Sequence, residues 1–231
     1  MPLAGINALI ALQISKKIPY KKYLYPSIVF GALFPNLDII FIYIFRILNV
    51  FSISNDSLQR TFTHSLFTII IVYLIILIAG EIFNKKYLRN IAEGMVIGTI
   101  LHIILDLIFS FNRIHILWPL PIGYINLWGS SFIPDDFEKI FMAFEFLFFR
   151  LYGWILIHIS IKKTSYMNRY ITYINYWIKL EFILFILFVV GIYKVEMNLF
   201  NFLFEIAYIP SLIMAMISTC FMYKSIDLNF K

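Results

Sequence analysis

The run YLYPSIVFGALFPNLDIIFIYIFRILNV, residues 23–50, decides the fold class. It is apolar for longer than the roughly 20 residues a helix needs to cross a bilayer. Its only fully charged residues are Asp38 and Arg46. The middle of the run, GALFPNLDII at residues 31–40, places Pro35, Asn36 and Asp38 where a spanning helix would normally carry only apolar side chains. Proline has no N–H, so the carbonyl of residue 31 loses its helical partner and the helix kinks or breaks. A carboxylate at this depth costs about 2.5–3.5 kcal/mol on insertion scales, and such groups face a bundle interior or a water-filled cavity. The segment therefore reads as a broken membrane helix with an inward-facing acid.

The rest of the chain agrees with that solvent. Of 231 residues, 61% are hydrophobic and 14% charged, with a mean hydropathy of +0.86. A soluble domain carries roughly 25% charged residues. The fold class expected is all-α: a polytopic integral membrane bundle of about six to seven transmembrane helices. The candidate segments are about 2–14 (short), 23–50, 65–83, 90–111, 137–161, 178–193 and 199–223. The net charge of +6 reports topology, not a nucleic-acid surface, because Lys and Arg collect on the cytoplasmic side. One set of loops holds Lys16, Lys17, Lys21, Lys22, Lys85, Lys86, Arg89, Lys162, Lys163 and Arg169; the alternate loops mix few cations with acids. On that rule the first set and the C-terminus are cytoplasmic, and the expected location is a bacterial inner (plasma) membrane. The single cysteine, Cys220, excludes an internal disulfide framework and a multi-cysteine metal site.

On this map the out-of-place polar residues gather in the outer half of the membrane. Asp38 lies on the second segment, Arg60 and His64 at the start of the third, and His102 and Asp106 on the fourth. His102 and Asp106 are spaced i, i+4 and share a helix face. That spacing suits a shared ion, and equally an imidazole–carboxylate hydrogen bond with no ion. Two imidazoles and two carboxylates are a donor set for Zn²⁺ or a related divalent ion. His115 in the outer loop and His158 on the fifth full segment are read as interfacial or structural.

Four pieces of the chain, in order, resemble the YdjM-like family of membrane-bound metal-dependent hydrolases. MPLAGINALIAL is similar to its N-terminal small-apolar segment, GALFPNLDII to its Gly-x-x-x-Pro-Asp-x-Asp element, QRTFTHSLF to its His-Arg-Gly-x-Thr-His-Ser element, and GTILHIILDLIFSFNRIHILWPL to its Gly-x-x-x-His-x-x-x-Asp element. The resemblance covers about residues 1–125. It implies a helical hydrolase related in pattern to zinc-dependent phospholipase C and the zinc nucleases like it. By motif, Asp38, His64, His102 and Asp106 would hold one metal, with Asp38, Asp106 and Arg60 as catalytic residues and Arg60 pairing with an anionic substrate oxygen. The chain departs from the pattern at Asn7, Asn36 and Gln59, where carboxamides replace a histidine, an aspartate and a histidine. Amides lack the charge or ring nitrogen that borderline metals favour, so one metal site is expected.

The expected organisation is a YdjM-like membrane domain at 1–125 carrying the metal site, with the additional helices of 126–231 packed on it as a single structural unit. The expected function is metal-dependent hydrolysis of a phosphoester or lipid-like substrate near the outer face. The expected partners are the lipid bilayer and that substrate, with no nucleic acid. The alternatives are a catalytically degenerate membrane scaffold or regulatory protein on the same fold, and a small transporter.

Overall fold

The computed structural model describes residues 3–47, 60–109, 113–120, 124–127, 134–161 and 168–229. Helices dominate: α1 (Ala4–Ser15), α2 (Leu24–Leu33), α3 (Leu37–Ile47), α4 (Leu66–Ile82), α5 (Tyr87–Phe109), α6 (Asp135–Ile161), α7 (Asn168–Gly191), α8 (Met197–Phe221) and α9 (Tyr223–Asn229). Five stretches are long and apolar enough to cross a membrane: Leu24–Ile44, Tyr87–Phe109, Asp135–Ile161, Tyr170–Gly191 and Met197–Phe221. Ala4–Ser15 and Leu66–Ile82 are shorter apolar helices. The all-α membrane bundle read from the sequence is the observed fold. The 178–193 segment begins earlier than read, because the aromatic-polar stretch before it, NRYITYINYWIK, continues the helix.

The chain divides into two compact units, residues 21–130 and residues 1–20 with 131–231. The N-terminal segment, read from the sequence with 21–125, thus groups with the later helices.

In the unit 21–130, α5 is the centre and packs on α2 and α4. The α2–α5 crossing follows from small residues. Gly94 and Gly98 form a Gly-x-x-x-Gly step on α5, facing Ser27 and Gly31 on α2. Such small-residue steps let helix backbones touch in lipid, where van der Waals packing drives association. A Cβ on Gly98 would lie 2.0 Å from the Ile28 carbonyl oxygen, and one on Gly31 would lie 2.5 Å from that of Met95. Gly31 therefore serves the close approach of the two backbones.

Pro35 does break the helix: α2 ends at Leu33, a 3-10 turn covers Phe34–Asn36, and α3 begins at Leu37. The Gly31 carbonyl, which the missing Pro35 N–H leaves without its helical donor, accepts a bond from Thr99 Oγ1 at 3.2 Å. The single Thr99 hydroxyl hydrogen is shared with the Met95 carbonyl at 2.9 Å, so the break is bridged by a divided bond.

In the other unit, α6 is central, against α1, α7, α8 and α9. Its buried face carries Phe146 and Phe149, which meet Phe188, Phe204, Trp177 and Tyr208. Two buried polar side chains on α6 hold helix ends. Glu145 Oε1 accepts from the Gly5 N–H at 2.5 Å, covering an orphan donor in the first turn of α1 where no side chain of the capping residue does so. Lys139 Nζ donates to the carbonyls of Ile192 (3.1 Å) and Val195 (2.9 Å), closing the end of α7. A cation at a helix C-terminus complements the macrodipole.

Candidate metal centre

The helix break sets the first acid. Asp38 lies in the first turn of α3, where free backbone N–H groups and the helix dipole favour negative charge. Its Oδ1 accepts from Ile39 N at 2.7 Å, and its Oδ2 from Arg60 N at 3.0 Å. Arg60 holds a left-handed φ of 55°, unusual for a residue other than glycine. That backbone turn lets one residue address two acids, because its side-chain Nε donates to Asp106 Oδ2 at 3.1 Å.

The segment after Arg60 is pinned from the loop that follows α5. His115 N donates to the Arg60 carbonyl (3.2 Å), and Leu66 N to that of Ile116 (2.9 Å). Ser65 Oγ caps α4 by accepting from Phe67 N and donates to the Trp118 carbonyl. Thr68 Oγ1 donates to the Phe62 carbonyl at 2.6 Å. His64 is therefore held on both sides, and it is buried.

Opposite it, on α5, His102 Nδ1 is 2.8 Å from the Ala32 carbonyl. A carbonyl oxygen only accepts, so Nδ1 carries the proton, and in the neutral ring Nε2 is a bare lone pair. His64 Nδ1 faces the Thr63 hydroxyl at 3.1 Å and Asp38 Oδ2 at 3.8 Å. A hydroxyl both donates and accepts, so His64 carries its proton on Nδ1 with an ion in the cluster and on Nε2, toward His102 Nε2, without one. The two Nε2 atoms then meet at 3.2 Å. Asp106 completes the group, with Oδ2 3.4 Å from His64 Nε2 and Oδ1 3.7 Å from His102 Nε2. Its buried Oδ1 accepts no hydrogen bond.

The three ligand atoms lie within 4.8 Å of one another, a spacing met either by an ion among them or by a His64 Nε2–H between the rings. Ligands about 2.05 Å from a tetrahedral ion sit about 3.3 Å apart; the two Nε2 atoms are 3.2 Å apart, and the unpartnered Asp106 Oδ1 is 3.7 Å from His102 Nε2. The residues His64, His102 and Asp106 fit a metal ion, and the orphaned Asp106 oxygen is what an ion would satisfy.

The four-residue set read from the sequence is met in three of its members. Asp38 approaches His64 from the Nδ1 edge, on the far side of the ring from Nε2, with both its oxygens on backbone N–H groups. Asn36 is buried in the 3-10 turn, and its Nδ2 makes no hydrogen bond among the described residues. Gln59 lies outside the described residues. His115 packs its ring on Tyr124, and the exposed His158 stacks on Trp154; neither joins the trio. The Ala32 carbonyl and Thr63 were not anticipated. The Gly94–Gly98 step was the signal that α5 would reach the α2 backbone.

The order of these elements matches one known group. A family described as YdjM inner membrane protein matches residues 3–200. The chain belongs to the YdjM family. The match runs well past the 1–125 stretch on which the resemblance was read, through α6 and α7 and into the start of α8. No curated protein and no solved structure gives a match. Membership and the apolar helices make this YdjM protein an integral membrane protein, with lipid as its surroundings.

Proposed function

We propose that this chain is an integral membrane, metal-dependent hydrolase acting on a phosphoester or lipid-like substrate near the outer face of the membrane. The observation that carries the reading is the convergence of His64 Nε2, His102 Nε2 and the Asp106 carboxylate, with the Ala32 carbonyl behind His102 leaving its Nε2 a lone pair. Zn²⁺ suits two imidazoles and a carboxylate. Bound there, it would supply a water of lowered pKa and polarise a phosphoryl or acyl oxygen.

The chain's own residues divide the remaining work. Asp106 offers Oδ1 to the ion or to a proton, while its Oδ2 is held by Arg60. Asp38, with both oxygens engaged by N–H groups, orients His64 and fixes the Arg60 backbone. Carboxylates behind metal-bound imidazoles commonly do this. Arg60 places a buried positive charge beside the cluster, suited to an anionic substrate oxygen.

Purified protein should hydrolyse a chromogenic phosphodiester or a short-chain phospholipid, lose that activity with a chelator and regain it with added Zn²⁺. The buried Asn36, where the family pattern has an aspartate, favours a second reading: a non-catalytic scaffold on the same fold. A metal-loaded protein with no turnover on either substrate would support the scaffold. Placement of the site on the outer side rests on the charge pattern. With Cys220→Ser as background, Ser57→Cys should react with an impermeant maleimide from outside intact cells. Labelling only after permeabilisation would overturn the orientation.

A further inference from the structure

Glu181 lies in the middle of the membrane-spanning α7 and is fully buried. Nothing in the metal cluster involves it. Its Oε1 is 2.5 Å from Trp177 Nε1 and 2.6 Å from Ser211 Oγ of α8. Its Oε2 has no hydrogen-bond partner. Ser211 Oγ is also 3.0 Å from the Ala207 carbonyl.

A serine hydroxyl has one hydrogen. The shorter of its two contacts is the one to Glu181, so the Ser211 O–H donates to Oε1 beside the Trp177 N–H. With two donors on Oε1, that oxygen is the acceptor of the group, and a neutral acid carries its proton on Oε2, which accepts nothing among the described residues.

The charged alternative has no support around it. From α6, the Arg150 guanidinium bonds the Ile178 carbonyl and lies 4.3 Å over the Phe182 ring. Lys139 holds the carbonyls of Ile192 and Val195, and Glu145 holds Gly5. On α7 itself Lys179 sits over Tyr176. The α8 residue Tyr208 packs on Phe149 and Phe204. No ion pair joins Glu181 to a cation among the described residues. A buried carboxylate without a cation, and with one oxygen accepting nothing, carries a desolvation cost of several kcal/mol.

We infer that Glu181 is a proton-binding site: a neutral carboxylic acid within the membrane that links α7 to α8 by accepting from Ser211. It stands apart from the metal-centre reading and does not depend on it. The test is infrared spectroscopy of the full-length protein in lipid nanodiscs. Wild type minus Glu181→Gln should show a neutral carboxylic C=O band that moves down in D₂O. Loss of a carboxylate band in its place would overturn the proposal. If Glu181→Gln does not fold, Ser211→Ala provides the second reading. Removing a donor to the acid's carbonyl oxygen should shift the neutral band up, and an unchanged band would overturn the proposal.

Discussion

His102 donates its Nδ1 proton to the carbonyl of Ala32 across 2.8 Å, joining the face of α5 that carries Asp106 to the end of the broken helix α2. The contact exists because Gly98, one turn earlier, has no Cβ to keep the two backbones apart. The carbonyl fixes the ring so that Nε2 faces His64 and Asp106. Site geometry and helix crossing are thus one feature.

Gly98→Ala should therefore damage both. The added methyl would meet the Ile28 carbonyl oxygen at 2.0 Å, and backbone cannot yield as a side chain can. Overpacking of this kind costs about 1–3 kcal/mol or more. A lowered thermal midpoint in detergent, with reduced zinc retention, is the expected result; Gly80→Ala, where the nearest atom is 3.3 Å away, is the control and should change little.

Asp38→Asn and Asp106→Asn should separate two roles that look alike in sequence. Asp106 presents an unpartnered oxygen to the cluster, and Asp38 stands behind His64. Loss of a residue supporting a ligand typically weakens metal affinity about 10–100-fold. Competition with a calibrated chelator should show a drop of that order for Asp38→Asn, and a larger one for Asp106→Asn. Equal losses would place both carboxylates on the ion.

Much of this was legible in the sequence, for reasons specific to each part. Helix number and class follow from apolar run length. The break at Pro35 follows from a missing N–H, and the convergence of His64, His102 and Asp106 from motif order and the i, i+4 step on α5. The place of Asp38 was not legible. It depends on the backbone turn at Arg60, whose φ of 55° belongs to a residue type that seldom adopts it. The link from Trp177 through Glu181 to Ser211 was not legible either. Trp177 and Glu181 are one helical turn apart, but Ser211 comes from another helix, and no local pattern links them.

Arg60→Ala should destabilise the unit 21–130 beyond its effect on any activity. Removing one member of a buried pair leaves the other charge uncompensated, at about 3–5 kcal/mol. Arg60→Lys keeps the charge but loses the planar Nε–H that meets Asp106 Oδ2. Thermal midpoints in the order wild type, Lys, Ala are expected. An Arg60→Ala protein as stable as wild type would show that the pair contributes nothing.

Lys139→Met should loosen the end of α7 while leaving the metal centre intact. The ammonium is the donor to the Ile192 and Val195 carbonyls, and methionine keeps the apolar stem without it. Faster amide exchange over residues 189–196, at unchanged zinc content, is the expected outcome.

The central claim, a metal ion held by His64, His102 and Asp106, is tested most directly by the metal content of the purified protein. After equilibration with Zn²⁺ and desalting, elemental analysis should find about one zinc per wild-type chain. Folded His64→Ala, His102→Ala and Asp106→Asn variants should each lose it. Wild-type protein without bound metal, or variants that keep the wild-type content, would contradict the account.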